Sequence, residues 1–126
     1  MKSQKELEAM SDIDLCKILF NLEDRFHSGW KIDEELDGVL FIRFKDEVHY
    51  KEYMPTKTPN DIIPLVIEHK IDLVHKKLGV KSHEIVRASF LKYHVNGDLL
   101  QHKEVSHKNP YRAATIVLIL LLQGEE

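Results

Sequence analysis

Asn109-Pro110-Tyr111-Arg112-Ala113-Ala114-Thr115-Ile116-Val117-Leu118-Ile119-Leu120-Leu121-Leu122 is the stretch on which the fold turns. Asn109 suits an N-cap, and Pro110 the first helical position, where its missing N–H is no loss. From Ala113 to Leu122 the chain carries no charge and a single hydroxyl. A helix apolar on every face must be enclosed. Those ten residues are about half of what a bilayer requires, so the segment reads as a buried helix from Pro110 to Gln123. It is either the centre of the core or shared with a second subunit, and a homo-oligomer is therefore expected.

Working outward, Ile85 to Val95 reads as a long strand, and Asn96-Gly97 is a strong hairpin signal. Asp98 to Val105 returns as its partner. Further upstream, Thr58-Pro59-Asn60-Asp61 opens a helix. Apolar residues from Ile62 to Leu78 keep helical spacing, so it is expected to run to Lys77, with Gly79 as C-cap and a break possible near Lys70. Pro64 requires a late start or a kink. Val39 to Phe44 and Glu47 to Tyr53 read as strands, after a polar stretch that ends in the turn Asp37-Gly38. Ser11 to Asp14 has the form of a capping box. The helix behind it carries Leu15, Leu19, Leu22 and Phe26 on one stripe and should end near Phe26, because Ser28-Gly29 follows. The expected fold is one α+β domain over 11–126, behind a flexible leader at 1–10. It has an antiparallel sheet of about four strands, three helices and a buried C-terminal helix.

The 126 residues, 43% hydrophobic and 31% charged, suit one domain with its own core. The single cysteine, Cys16, excludes an intrachain disulfide framework and a Cys-rich zinc site. Residues 1–10 are polar and charged, without the apolar core of a signal peptide. The expectation is an intracellular protein that neither spans nor anchors in a membrane. Net charge is −3, and residues 1–37 hold ten acids against five bases. No basic face is available to displace counterions from nucleic acid, which makes DNA or RNA an unlikely partner.

No catalytic constellation emerges. The eight histidines lack the i, i+4 spacing of H-E-x-x-H, so no metal site is expected. Cys16 lies beside an apolar stripe, where a thiol is inert. Adjacent acids such as Glu23-Asp24 and Glu34-Glu35 diverge. Neither catalytic residues nor a cofactor is indicated. Binding is the remaining chemistry. Helix N-termini favour anions, and Arg112 in the first turn of the last helix needs a carboxylate or a bound anion as counterpart. Lys108, Asn109 and Tyr111 surround it. Trp30 is a core plug or an aromatic platform. Tyr93 and Phe90 occupy opposite faces of one strand.

Three segments resemble the NinX-like proteins, a family of small proteins from lambdoid and related phages. They are Met10 to Leu15, Pro59-Asn60-Asp61-Ile62-Ile63-Pro64-Leu65-Val66-Ile67-Glu68-His69-Lys70-Ile71, and Asn109 to Val117. At Ile63 the family usually has an aromatic. The resemblance implies a phage accessory protein working in the host cytoplasm. In that setting the expected function is counter-defence: binding and sequestering a phosphorylated, nucleotide-derived host immune signal. Arg112, Asn109, Lys108, Tyr111, Trp30 and Tyr93 would hold this anionic small molecule. The alternative is a protein–protein inhibitor or adaptor acting on a host protein.

Overall fold

The structure, a computed structural model, describes residues 2–23, 29–78, 83–93, 96–97 and 99–123. Side chains at 75–78, 83–84, 92–93 and 99–101 lie outside that description. The described elements run α1 (Gln4–Glu8), α2 (Asp12–Leu22), β1 (Trp30–Leu36), β2 (Val39–Phe44), β3 (Tyr50–Glu52), α3 (Pro59–Glu68), β4 (Asp72–Leu78), β5 (His83–Tyr93), β6 (Leu99–His107) and α4 (Pro110–Leu122). The class is α+β. The strands, however, form two three-stranded antiparallel sheets, β1-β2-β3 and β4-β5-β6, rather than one sheet of about four.

Every residue from Ala113 to Leu120 is buried. The second sheet supplies one wall through Ala88 and Val105, while α1, α2 and α3 close the rest with Leu7, Leu15, Leu19, Ile62, Leu65 and Val66. A single chain thus encloses the apolar helix. The argument that it needs a second subunit falls away.

Helix α2 has two apolar faces. Leu15 and Leu19 join the α4 core, while Cys16 and Phe20 join Leu40, Ile42, Tyr53 and Met54 in a separate cluster under the first sheet. Helical periodicity puts residues three and four apart on one face, so the two sets lie on adjacent sides of one cylinder. The first sheet is thereby covered on its inner face.

Five expectations are corrected. The leader is not frayed: Ser3 and Glu6 form a reciprocal capping box, and Leu7 is fully buried in the main core. At Ser11 only half the box exists, the Ser11 hydroxyl accepting from the Asp14 N–H at 3.2 Å. Helix α2 stops at Leu22, and Phe26 and Ser28 lie outside the described residues. The third helix ends at Glu68 because Lys70 adopts the left-handed conformation, φ 56°. The Lys70 N–H donates to the Ile67 carbonyl and the Ile71 N–H to the Val66 carbonyl. That is a Schellman stop without its usual glycine, and the chain beyond it pairs as β4, not as helix. Finally, the polar stretch 30–36 is a strand. Asp37 and Gly38, at φ 53° and 76°, make the positive-φ hairpin turn that matches strand twist, folding β1 onto β2.

Leu118→Ala should remove about 2–5 kcal/mol of stability, since a fully enclosed site cannot collapse around the cavity. Urea melts should show a lower midpoint at unchanged m-value.

Candidate functional site

The N-terminus of α4 brings four of the expected residues together. The Asn109 side-chain oxygen accepts from the backbone N–H groups of Tyr111 and Arg112 at 2.9 and 3.3 Å. Its amide nitrogen donates to the Thr56 carbonyl at 2.7 Å. The free amides that would attract an anion are therefore capped from within. Arg112 is enclosed as well, its side chain 11% exposed. Nη1 meets the Asp12 carboxylate at 2.6 Å, and Nη2 donates to the carbonyls of Met10 and Glu8 at 2.6 and 3.1 Å. The cation that the helix dipole disfavours finds its counterpart in a carboxylate and two backbone acceptors of the α1–α2 junction.

His107 accepts from the Asn109 N–H through Nδ1 at 2.9 Å. Burial first, and the neighbouring Arg112 charge second, hold this imidazole below the ordinary histidine range. Tyr111 is half-buried against the main core, and Lys108 is exposed.

Trp30 is elsewhere. It sits on the inner side of the first sheet, packed against the second cluster, with the Phe44 ring 5.3 Å away and the Lys51 ammonium 5.7 Å from its ring centroid. Tyr93 ends β5, and its side chain is outside the described residues. The structure therefore gathers Lys108, Asn109, Tyr111 and Arg112 and leaves Trp30 in a different core. Cys16 is buried, with its sulfur 3.7 Å from the Thr56 hydroxyl, and burial pushes the thiol above its usual pKa. Among the described residues, no group of three or more metal-ligating side chains assembles.

The outer face of the first sheet is a feature that the sequence reading passed over. Phe41 and Tyr50 stack with ring centroids 5.7 Å apart at 26°. The Arg43 guanidinium lies 5.0 Å from the Tyr50 centroid. Asp33 grips that guanidinium through two 3.1 Å bonds, and the Glu47 carbonyl accepts from Nη1 at 3.2 Å. Leu36 is 55% exposed, Tyr50 52% and Val48 77%. The alternation in Val39 to Phe44 was the available signal: Leu40 and Ile42 point inward, which obliges Phe41 and Arg43 to point out.

The turn between β2 and β3 is built on Asp46. Its Oδ1 accepts from the N–H groups of Val48 and His49 at 3.0 and 3.1 Å, and Oδ2 pairs with the His49 ring. These bonds, those from His49 foremost, lower the Asp46 carboxyl to about 2.

Two outcomes are expected. Arg112→Ala should destabilise by about 3 kcal/mol, because it strands a partly buried carboxylate and two carbonyls. Arg112→Lys should recover only part of this in the same melts, since an ammonium cannot span the fork. For Asp46 the folded pKa lies below the unfolded value of about 3.9. Its contribution is present above that value and lost as pH falls through about 2. An NMR titration should place its midpoint near there, and in Asp46→Asn the Val48 amide should exchange faster.

Comparison with protein-family models, with curated proteins and with solved structures finds no match for this chain, so its functional reading rests on the site geometry.

Proposed function

We propose that the chain is a non-catalytic binding protein that docks onto another protein, as inhibitor or adaptor, through the outer face of its first sheet. The observation that carries this is the pre-stacked set of exposed Tyr50 with half-buried Phe41 and Arg43, flanked by exposed Leu36 and Val48. Tyrosine and arginine are the side chains in which interface energy concentrates. Here the ion pair to Asp33 already holds the arginine over the Tyr50 ring, which lowers the ordering cost of association. In the phage setting that the NinX-like resemblance implies, the partner is a host protein in the host cytoplasm.

Sequestration of a phosphorylated nucleotide-derived signal has less support. Of the two cations at the start of α4, Arg112 is engaged by Asp12, Met10 and Glu8, which leaves the exposed Lys108 alone to grip a phosphate.

Site-directed photocrosslinking separates the two. With p-benzoylphenylalanine in place of Tyr50, a discrete protein adduct is expected in cells, and Leu36→Asp should diminish it. The same probe at Glu68, exposed on α3, should give none. No adduct at position 50, together with a rise in melting temperature against cyclic nucleotides, would favour sequestration. A ligand at a hundred times its Kd stabilises by about 2.7 kcal/mol.

A further inference from the structure

The register of the first sheet sets three side chains in one row across it. Glu34 on β1 and Glu52 on β3 are both paired with Phe41 on β2. Directly opposed residues on an antiparallel sheet have Cβ atoms about 4.5–5.5 Å apart and share a face. The half-buried phenyl ring is therefore flanked on both sides by a carboxylate. On the same strand β1, Asp33 is paired with Arg43 and Glu35 with Lys17. Glu34 and Glu52 are exposed and make no ion pair among the described residues.

The neighbouring row shows what such an arrangement holds. There Arg43, opposite Tyr50, lies over the tyrosine ring while the Asp33 carboxylate grips its guanidinium. Ring and carboxylate together take a cation through the ring quadrupole and through charge-assisted hydrogen bonds. The Phe41 row has the same components, and among the described residues no cation lies over its ring.

The surrounding field has the same sign. Residues 30–53 carry seven acids and four bases, an excess of three that equals the net charge of the whole chain. Two copies of this face repel one another. Nucleic acid and anionic lipid are disfavoured for the same reason.

We propose that the partner presents a basic polypeptide segment, one of whose arginine or lysine side chains lies over Phe41 between Glu34 and Glu52. This rests on the reading of the sheet face as a protein-docking surface. Leu36, exposed two residues along β1 from Glu34, provides an apolar contact beside the cation. The segment is therefore basic with apolar residues interspersed.

The probe is a nine-residue synthetic peptide with three arginines and two valines, set against its analogue with citrulline, which keeps the shape and loses the charge. Titrated into the full chain, the arginine peptide should shift the amides of Glu34, Phe41, Tyr50 and Glu52. The Glu34→Gln/Glu52→Gln double variant, exposed at both positions and expected to fold normally, should bind it at least tenfold more weakly. Phe41→Leu, which keeps the apolar bulk and loses the ring, should bind a few-fold more weakly. Equal binding of the citrulline peptide, shifts confined to another face, no binding at all, or an unaffected double variant would each overturn the proposal. A protein adduct from position 50 whose yield is unchanged in the double variant would overturn it while leaving the docking reading intact. Absence of any adduct in the otherwise unchanged chain would instead remove the docking reading.

Discussion

Enclosure of α4 is the constraint from which the rest of the architecture follows. A helix with no polar face tolerates no open side, so the β4-β5-β6 sheet lies against one flank and three other helices close over it. Burying aliphatic side chains favours this by roughly 1.5–3 kcal/mol each, before conformational entropy is opposed to it. At its mouth, where the apolar stretch gives way to polar residues, Arg112 fastens the helix to the α1–α2 junction. The carbonyls of Glu8 and Met10, at and just beyond the end of a short helix, have no helical donors ahead of them, and the guanidinium supplies them. A residue unfavourable for its own helix dipole thus completes two other segments.

The two apolar faces of α2 then divide the hydrophobic interior. One face belongs to the α4 core and the other to the cluster of Leu40, Ile42, Tyr53 and Met54. Because α2 covers the first sheet from one side, Tyr50 and Leu36 on the opposite side of that sheet stay exposed. Tyr53 is fully buried at the inner side, where its hydroxyl donates to the buried Glu23 carboxylate. Tyr50, three residues earlier, stands outside with Phe41 and Arg43. Neighbouring tyrosines of the same short segment therefore have opposite roles, one closing the core and one forming the candidate interface.

This division bears on function more directly than any single reactive group. The thiol of Cys16 is buried and its ionisation is opposed by burial. Asn109 and Arg112 complete local structure at the start of α4. What the surface offers is an arrangement of rings and charges on a hairpin sheet, held by the Asp33–Arg43 pair and by the Asp46 turn. Binding surfaces of this kind gain from being ordered before the partner arrives.

Much of the fold was legible in local chemistry. The α4 helix could be read from Asn109, Pro110 and an unbroken apolar run, and the β1–β2 turn from Asp37-Gly38. The hairpin after β5 was signalled by Asn96-Gly97. These are properties of backbone conformation and burial that a short window of residues dictates by itself. Other features depended on partners distant in sequence. Lys70 took the left-handed position without being glycine, as Ile71 gained burial in the α4 core by turning there. Leu7 ordered the N-terminal helix by reaching the same core. Residues 30–36, polar enough to read as loop, became a strand through pairing with β2. Arg112, in the first turn of α4, is legible in the sequence as a cation that needs a partner. Only the tertiary structure decided that Asp12, a hundred positions away, would be that partner, and that cross-strand register would set Phe41 between Glu34 and Glu52. Composition and periodicity report what a residue requires; which group meets that requirement depends on contacts that exist only once the chain has closed on itself.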